Sequence, residues 1–566
     1  MLNCCERRKS RGSRLRASPS PAPPLAFSPT RVRSPVRASQ VWQVLPLVPP
    51  DAEYFSPYSG RDASCGNPNL VSLQLLAEEG LLDDADLAPL VAPVGAATFA
   101  LYAAAAEPLL AKAASRLLAG AAPGCAVLRR ELRLFRAEPA VAAWLEPAAL
   151  FAALEASLPG LLWWQWPAEL RHRQPAAVAA AAAEHAASVD RFCAVQFLFH
   201  RQWTRLKAYA NASGVSLMGD MPIYVGGHSA DVWCNPHLWQ LGADGAPTAV
   251  SGTPPDAFSA TGQLWGSPLY RWSAHAEEGY AWWAARVGRA LTLHDEVRID
   301  HFRGLAGYWS VPADAPTALS GCWKQGPGLG FFQGLEARLG HIPLVAEDLG
   351  VITADVVALR DALGAPGMAV LQFGWDGNPS NPHLPHSYAL NSFVYPGTHD
   401  NDTLVGWYAA APPDQQARFD SYLGTDGSDP AWAAIRMCLL SCARTTVVAL
   451  QDVLRLGNEG RMNTPGVAGG NWAWRVGPAG VFGSHEMATA AAGLRAMVHQ
   501  YDRLRAGAPA ALPGAAEGAA AAPARAEEPP TAAPKEQAHA PAPFAAKNGA
   551  AEKEWKLAAV MEAAEE

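Results

Sequence analysis

The sequence has little charge and lacks several motifs that would identify common enzyme classes. Only 17% of its 566 residues are charged, which is low for a soluble enzyme. The nine cysteines are scattered without a C-x-x-C pair, so a reducing compartment is favoured over a disulfide framework. Neither a G-x-x-x-x-G-K-[ST] loop nor a G-x-G-x-x-G turn is present, which argues against a phosphate-binding enzyme. The apolar, uncharged run at residues 87–106 contains two prolines and is a poor membrane span.

Acidic residues are almost absent from the first 39 positions, which carry nine Lys and Arg against one acid, Glu6. The segment is also rich in Ser and Pro and has no continuous apolar core, so it is typical of an organelle transit peptide and not of a secretory signal. The stretch "SPVRAS" at 34–39 is similar to a plastid-type processing region. We predict a transit peptide over residues 1–39, with a disordered basic arm as the alternative.

The rest of the chain is acidic. Without the leader it has 35 basic and 51 acidic residues, a net charge of −16. Such a balance argues against nucleic acid or an anionic membrane as the main partner. A neutral substrate is the natural expectation.

The order of apolar and amphipathic stretches predicts an α/β protein. Residues 70–190 contain Ala- and Leu-rich helical stretches, and strand-like and helical runs alternate from about residue 191 onward. Strands are predicted at 41–50 (broken by prolines), 215–225, 296–300, 342–348, 368–373 and 392–400, with helices at 191–210, 327–339 and 353–363. This alternation favours a (β/α)8 TIM-type barrel over residues 40–506 with a helical insertion at about 70–190. Residues 507–566 form an Ala/Pro-rich low-complexity tail.

Acidic side chains follow the predicted strands. Asp300 ends "EVRID", Glu347 ends "IPLVAE", Asp400 follows "SFVYPGTH", and Asp220 follows "VSLM". The carboxyl ends of barrel strands form the rim at which barrel enzymes assemble their active sites. A structural ion pair is the alternative for the Arg298–Asp300 stretch alone, and a Mg²⁺ or phosphate enzyme is the alternative for the whole set.

Carboxylates without His or Cys clusters favour glycoside chemistry and predict no metal and no cofactor. One carboxylate attacks the sugar C1 while a protonated second one donates to the leaving oxygen. In retaining enzymes the two carboxyl groups lie roughly 5–5.5 Å apart. We expect Arg298 to lower the pKa of Asp300 and keep it anionic. Asp348 need not point into the site, because neighbouring strand residues face opposite sides.

Tryptophan is abundant, with twenty residues in the chain, and its flat rings suit the apolar faces of sugars. Trp233, Trp265, Trp309 and Trp407 lie near predicted strand ends. Most tryptophans belong to cores, but the Gly, Pro and polar residues of "GQLWGSPLY" (262–270) predict an exposed loop around Trp265.

Taken together, these motifs resemble the 4-alpha-glucanotransferases, the amylomaltase or disproportionating-enzyme family (glycoside hydrolase family 77) of the α-amylase clan. The resemblance covers about residues 41–505. Within the family the sequence resembles the plant and algal plastid form, which implies a location in the chloroplast stroma. The motifs that carry it, in chain order, are "WQVLPL", "SPYSGRDASCGNP", "GDMPIYVGGHSADVW", "FSATGQLWGSPLY", "VRIDHFRG", "VAEDLGVIT", "GTHDNDT" and "RMNTPG".

The resemblance implies a role for each matching residue. Asp300 would be the nucleophile, Glu347 the general acid/base and Asp400 the transition-state stabiliser in the transfer of α-1,4-glucan segments between maltooligosaccharides or starch chains. The donor subsite would be lined by Asp220, Arg298, His301 and His399, with Tyr58, Gln263, Trp265 and Asn463 as further glucan contacts. An α-glucan hydrolase of the same clan and an inactive glucan-binding protein are the alternatives.

Two features of the sequence depart from the family pattern. Ala257 stands where members usually carry an aromatic residue in the "PPDxFS" loop, which implies a missing glucan platform. Members also normally begin with a strand and a helix before "WQVLPL", and nothing in residues 1–39 resembles that unit. The resemblance therefore implies either a barrel without its first strand and helix or a sequence from which they were lost.

Overall fold

The structure is a computed structural model. It describes residues 41–51, 55–88, 99–120, 124–255, 259–467, 469–477 and 481–503. The predicted leader (1–39), Ala257 and the predicted tail (507–566) lie outside the described residues.

The strands were predicted from runs of apolar residues, and the structure confirms all six predicted strands. In chain order the strands of the described residues are β1 (Val41–Gln43), β2 (Ser216–Met221), β3 (Ala249–Thr253), β4 (Gln263–Pro268), β5 (Glu296–Ile299), β6 (Gly307–Pro312), β7 (Cys322–Gln325), β8 (Leu344–Ala346), β9 (Gly367–Val370), β10 (Ser392–Tyr395) and β11 (Thr445–Thr446).

The three predicted helices are also confirmed, as α8, α12 and α13. In chain order the helices are α1 (Leu73–Glu78), α2 (Asp84–Leu87), α3 (Phe99–Ala119), α4 (Cys125–Ala137), α5 (Pro139–Ser157), α6 (Ala168–Arg171), α7 (Pro175–Glu184), α8 (Ala186–Ala212), α9 (Ala230–Cys234), α10 (Trp272–Glu277), α11 (Ala281–Leu293), α12 (Gly328–Leu339), α13 (Ala354–Ala362), α14 (Leu404–Ala410), α15 (Pro413–Leu423), α16 (Pro430–Leu440), α17 (Leu450–Val453) and α18 (His485–Gln500).

Seven parallel strands form the wall of a β/α barrel, in the order β1-β2-β5-β8-β9-β10-β11. Two hydrogen-bonded sheets, β1-β2-β5-β8 and β9-β10-β11, are joined where the Ala346 N–H donates to the Pro366 carbonyl at 2.9 Å. All four residues of β9 and of β10 are buried, because parallel strands are covered on both faces and therefore consist of nearly continuous apolar residues. The predicted TIM-type α/β class is confirmed, and the carboxyl ends of these strands meet at one rim.

Helices α3, α4, α5 and α8 form a layer beside the first strands. Their shared core includes Leu110, Leu132, Leu145 and Phe197, and Leu217 of β2 belongs to the same cluster. The long helix α8 therefore buries one side among helices and another against the barrel wall. Helix α5 is the one described helix long and apolar enough to cross a membrane by length and composition. Its packing in this core accounts for that apolar character.

A second sheet covers part of the rim. It is antiparallel, with the order β4-β3-β6-β7. The prediction of a loop around Trp265 is wrong, because residues 263–268 form the edge strand β4. Its glycine and proline are compatible with an edge position, and the predicted exposure is confirmed, since Leu264 and Trp265 are about two-fifths exposed. By contrast, Trp233 is fully buried and belongs to the core.

A cavity of about 1160 Å³ lies between the two ends of the wall. It is bordered on one side by residues 41–47, which include β1, and on the other by residues 445–453, which include β11. The wall of the described residues thus has seven strands, and the cavity separates its first strand from its last.

Candidate active site

The predicted site residues of β2 and β5 meet at the rim because of strand register. Asp220 of β2 is paired directly with Arg298 of β5, so the two side chains leave the wall on the same side. Asp300 lies two residues after Arg298, so its side chain points to the same side of the wall as that of Arg298. Residues 302–305 form a short 3-10 helix immediately afterwards.

Arg298 connects two of the acids. Its Nη1 donates to both oxygens of Asp220 at 2.6 and 2.7 Å, and its Nη2 lies 3.0 Å from Asp300 Oδ1. Arg298 and Asp220 are buried, while the Asp300 side chain is 29% exposed. Arg298 thus positions Asp300 at the mouth of the site.

Glu347, which follows β8, is held by backbone amides. The His301 N–H donates to Oε2 at 2.7 Å and the Leu349 N–H donates to Oε1 at 3.0 Å. The Phe302 N–H donates to the Glu347 carbonyl at 3.1 Å. Asp348 points away from Glu347, toward Arg360 and β9, and accepts from Arg360 and from the Met368 N–H. Glu347 therefore has a fixed orientation beside the segment that carries Asp300.

Burial raises the pKa values of the Asp300 and Glu347 carboxyl groups by different amounts. It raises the pKa of Asp300 to about 6, and Arg298 opposes that rise. The expectation that Arg298 would lower the pKa below its usual value is wrong, because desolvation and the negative charges of Asp220 and Asp400 outweigh the guanidinium. Burial, together with the charge of Asp300, raises the pKa of Glu347 to about 8. At neutral pH Asp300 is ionised and Glu347 is protonated.

Tyr58, His399 and Asp400 form a second group, on the β1 and β10 side. The Tyr58 hydroxyl donates to Asp220 Oδ2 at 2.8 Å and lies 2.8 Å from His399 Nε2. Because that hydroxyl proton is used on Asp220, His399 Nε2–H must be the donor to Tyr58. His399 Nε2 also lies 3.4 Å from Asp400 Oδ2. Asn463 Nδ2 donates to Asp400 Oδ1 at 2.7 Å, so the predicted residues Tyr58, His399, Asp400 and Asn463 are brought together.

Trp265 and Gln263 lie on the opposite side of the mouth, above His301. The Trp265 ring stands edge-on to the His301 ring, with centroids 4.8 Å apart, and its Nε1 donates to Gln263 Oε1 at 3.3 Å. His301 has a positive φ of 52°, a conformation that is uncommon outside glycine and is often found at functional sites. Burial lowers the pKa of His301 to about 3, so its ring is neutral. Its Nε2 is buried and has no hydrogen-bond partner among the described residues.

Two residues of this site were not predicted from the sequence. The Trp472 ring packs on Tyr58 and His399, with centroids 5.6 and 5.9 Å apart, and has a φ of 64°, which is strained for a bulky residue. Arg461 Nη2 donates to the Asp400 carbonyl at 3.4 Å. The available signal was a Trp after the glycine pair in "AGGNWAW", which alone does not indicate a site.

The arrangement suits acid–base and nucleophilic chemistry at a sugar carbon. An ionised and a protonated carboxyl group lie on neighbouring strands, surrounded by hydroxyl, imidazole and amide groups and by exposed aromatic faces. The described residues contain no group of three or more His, Cys, Asp or Glu side chains that could hold a metal ion.

Comparison with known proteins identifies one family. The 4-alpha-glucanotransferase of rice, named as chloroplastic/amyloplastic, is 48% identical over 468 residues, which are 82% of this chain and 78% of the rice protein. The corresponding Arabidopsis thaliana protein is 47% identical over 465 residues, 82% of this chain and 79% of its own length. The amylomaltase of Streptococcus agalactiae, solved with acarbose, superposes with a TM-score of 0.78 at 31% identity and covers 83% of this chain and 93% of its own.

The family model described as 4-alpha-glucanotransferase matches residues 35–479, a range that contains every predicted site residue. The chain therefore belongs to the 4-alpha-glucanotransferase family of glycoside hydrolase family 77, and it is a glycosyltransferase with that activity.

Proposed function

We propose that Asp300 is the nucleophile, Glu347 the general acid/base and Asp400 the transition-state stabiliser of a retaining glucan transfer. In the first step an Asp300 oxygen attacks C1 of an α-1,4-linked glucose. The C1–O4 bond breaks, and O4 takes the proton of Glu347. In the second step the Glu347 carboxylate takes the proton from the 4-OH of an acceptor glucan, whose oxygen displaces Asp300 from C1. Two inversions at C1 restore the α configuration.

The observation that supports this assignment is the difference between the two carboxyl environments. Burial leaves Asp300 ionised and Glu347 protonated at the same pH, and pairs of titratable groups whose pKa values are pushed apart are typical of nucleophile and acid pairs. The two also sit on hydrogen-bonded neighbouring strands, since Ile299 pairs with Ala346.

The binding residues complete the proposal. Asp220, Arg298, His301 and His399 line the donor subsite, and Tyr58, Gln263, Trp265 and Asn463 make further glucan contacts. Among the described residues Asp220 Oδ1 accepts only from Arg298 and keeps one lone pair, whereas Oδ2 accepts from both Arg298 and Tyr58. The substrates are maltooligosaccharides and starch chains, consistent with the acarbose complex of the streptococcal relative.

Maltotriose alone distinguishes transfer from the alternatives. A transferase releases glucose and builds a ladder of longer oligomers. A hydrolase releases glucose and maltose in equal amounts, and a binding protein leaves maltotriose unchanged. The relatives' names favour transfer, and equal glucose and maltose without a ladder would contradict it.

We also propose that the protein works in the plastid stroma, with residues 1–39 as its transit peptide, 40–506 as the catalytic barrel and 507–566 as a tail. The basic, acid-poor leader supports this, as do the chloroplastic/amyloplastic names of the rice and Arabidopsis relatives.

A bell-shaped pH profile of kcat/KM is expected. Activity needs Asp300 without its proton and Glu347 with it, so the acid limb should fall near pH 6 and the alkaline limb near pH 8, with a maximum between them. Initial rates of maltotriose disproportionation from pH 5 to 9.5 at constant ionic strength measure it. A profile that stays flat across both values, while the protein remains folded by circular dichroism, would contradict the assignment.

Tyr58→Phe should lower kcat/KM by about 10–100-fold, because it removes the hydroxyl that joins Asp220 to His399 and leaves two buried groups each short of a partner. The ring stacking on His399 is retained, so folding should change little. Tyr209→Phe is the matched control, since Tyr209 is 53% exposed on α8. A Tyr58→Phe variant with the kinetics of that control would show that the hydroxyl is dispensable.

A further inference from the structure

Trp323 is an exposed aromatic residue at the edge of the antiparallel sheet. It lies in β7, whose four residues are all exposed, and 43% of its surface is accessible. It faces Trp309 of β6 directly in the register, and the two rings meet edge to face with centroids 5.2 Å apart. An exposed indole is normally free to change rotamer, but this one is braced on one side.

Glycines at both ends of β7 allow this placement. A Cβ on Gly321 would lie 2.1 Å from the Trp309 ring nitrogen, and a Cβ on Gly326 would lie 2.3 Å from the Leu305 carbonyl oxygen. The Gly326 N–H also donates to the Ala306 carbonyl at 2.8 Å. The strand that carries Trp323 is thereby held close to the helical turn at 302–305.

Arg303 supports the Trp323 ring from within that turn. Its guanidinium carbon lies 3.9 Å from the ring centroid, within the range of a cation–π contact. Arg303 is only 6% exposed, and its Nε and Nη1 have no hydrogen-bond partner among the described residues. A buried cation is costly unless something compensates it, and here the indole face, the Thr353 hydroxyl and the charge of Asp355 contribute.

Arg303 connects the Trp323 ring to the segment that follows the acid/base Glu347. Arg303 comes three residues after Asp300, and its Nη2 lies 3.3 Å from the hydroxyl of Thr353, on the loop that continues from Glu347. Tyr58, His399 and Asp400 occupy the other side of the rim. Glu347 protonates the departing chain and deprotonates the arriving one, so the acceptor chain must pass on the Glu347 side.

We propose that Trp323, braced by Arg303, is an acceptor-side subsite on which a glucose unit beyond the first acceptor unit stacks. The inference rests on the proposed function. Flat aromatic faces bind the apolar faces of sugars, and a ring fixed before binding loses little conformational entropy. The subsite would favour oligosaccharide acceptors over glucose, which is too short to reach it.

The test compares two acceptors with one donor. Transfer from α-maltosyl fluoride to glucose and to maltopentaose is measured for the full chain, Trp323→Leu, Trp323→Phe and the control Leu390→Ala, whose side chain is 74% exposed just before β10, at the amino end of a strand. For Trp323→Leu we expect the apparent KM for maltopentaose to rise about 5–20-fold, with that for glucose and both kcat values within about twofold. Trp323→Phe should lie close to the unaltered protein.

Each other outcome overturns the proposal. Equal losses with glucose and maltopentaose would make Trp323 a structural residue, which a matching fall in Tm would show independently. Unchanged kinetics with both acceptors would show that no sugar stacks there. If the unaltered chain transferred to neither acceptor, the proposed function itself would fail, which is distinct from a selective failure of the Trp323 variants.

Discussion

Asp300→Asn should lower kcat/KM for maltotriose disproportionation by about 10⁴–10⁶-fold, the size of loss that follows removal of an enzyme's nucleophile. A neutral amide cannot attack C1, so the covalent intermediate does not form. The asparagine oxygen can still accept from Arg298 Nη2, which lies 3.0 Å away in the native pair, so we expect the fold to be retained.

A second consequence concerns Glu347. The charge of Asp300 raises the pKa of Glu347, so that pKa should fall in Asp300→Asn, measurable by infrared titration of the carboxyl band. Asp295→Asn is the matched control, because Asp295 lies before the same strand and its Oδ2 accepts from the Leu217 N–H, away from the rim. Near-normal disproportionation by Asp300→Asn would remove Asp300 from its role.

Glu347→Gln should lower kcat/KM for maltotriose by about 10³–10⁵-fold, because no proton reaches the leaving O4 and no base activates the acceptor. With α-maltosyl fluoride, whose leaving group needs no acid, the first step should recover. The second step should remain slow, so a covalent maltosyl-enzyme should accumulate and be visible by intact mass spectrometry. Asp300→Asn should form no such adduct with the same donor.

Because Glu347 accepts hydrogen bonds from the backbone, the Glu347→Gln variant needs a control for stability. Both of its oxygens accept from backbone N–H groups, whereas glutamine has one oxygen and an NH₂ that would face a donor. One buried N–H would lose its partner at a cost of about 1–3 kcal/mol, so Tm must be measured beside activity. Asp348→Asn removes the adjacent carboxylate, which also accepts a backbone N–H, and should retain catalysis. If Glu347→Gln lost no more activity than Asp348→Asn, the acid/base assignment would be wrong.

The barrel strands could be predicted because burial on both faces requires continuous apolar runs. That is why Asp300, Glu347 and Asp400 were recognised as rim residues from the apolar residues that precede them. The antiparallel sheet was not predicted, because its strands lack such continuous apolar runs. Strand β7 is wholly exposed and β4 contains Gly and Pro, so neither shows an alternating pattern.

Contacts between distant segments were beyond the reach of sequence patterns. Tyr58 and His399 are 341 positions apart, and only the folded barrel brings their rings together. The pKa of Asp300 was mispredicted for a related reason. The sequence shows the neighbouring Arg298, but the desolvation that outweighs it depends on how the whole rim packs around the carboxyl group.

The pairing of β1 with β2 has a consequence for the order in which the protein folds. About 170 residues separate Gln43 from Ser216, so at a synthesis rate of about 5–20 residues per second β2 follows β1 after roughly 10–35 s. Helices α3 to α8 are made in that interval, and local helical contacts form far faster than pairings between distant strands. Trp42 and Val44 pack on the core of those helices, so β1 can be held there before its neighbouring strand exists. Weakening the helical layer should therefore slow refolding while leaving the kinetics of the folded enzyme unchanged.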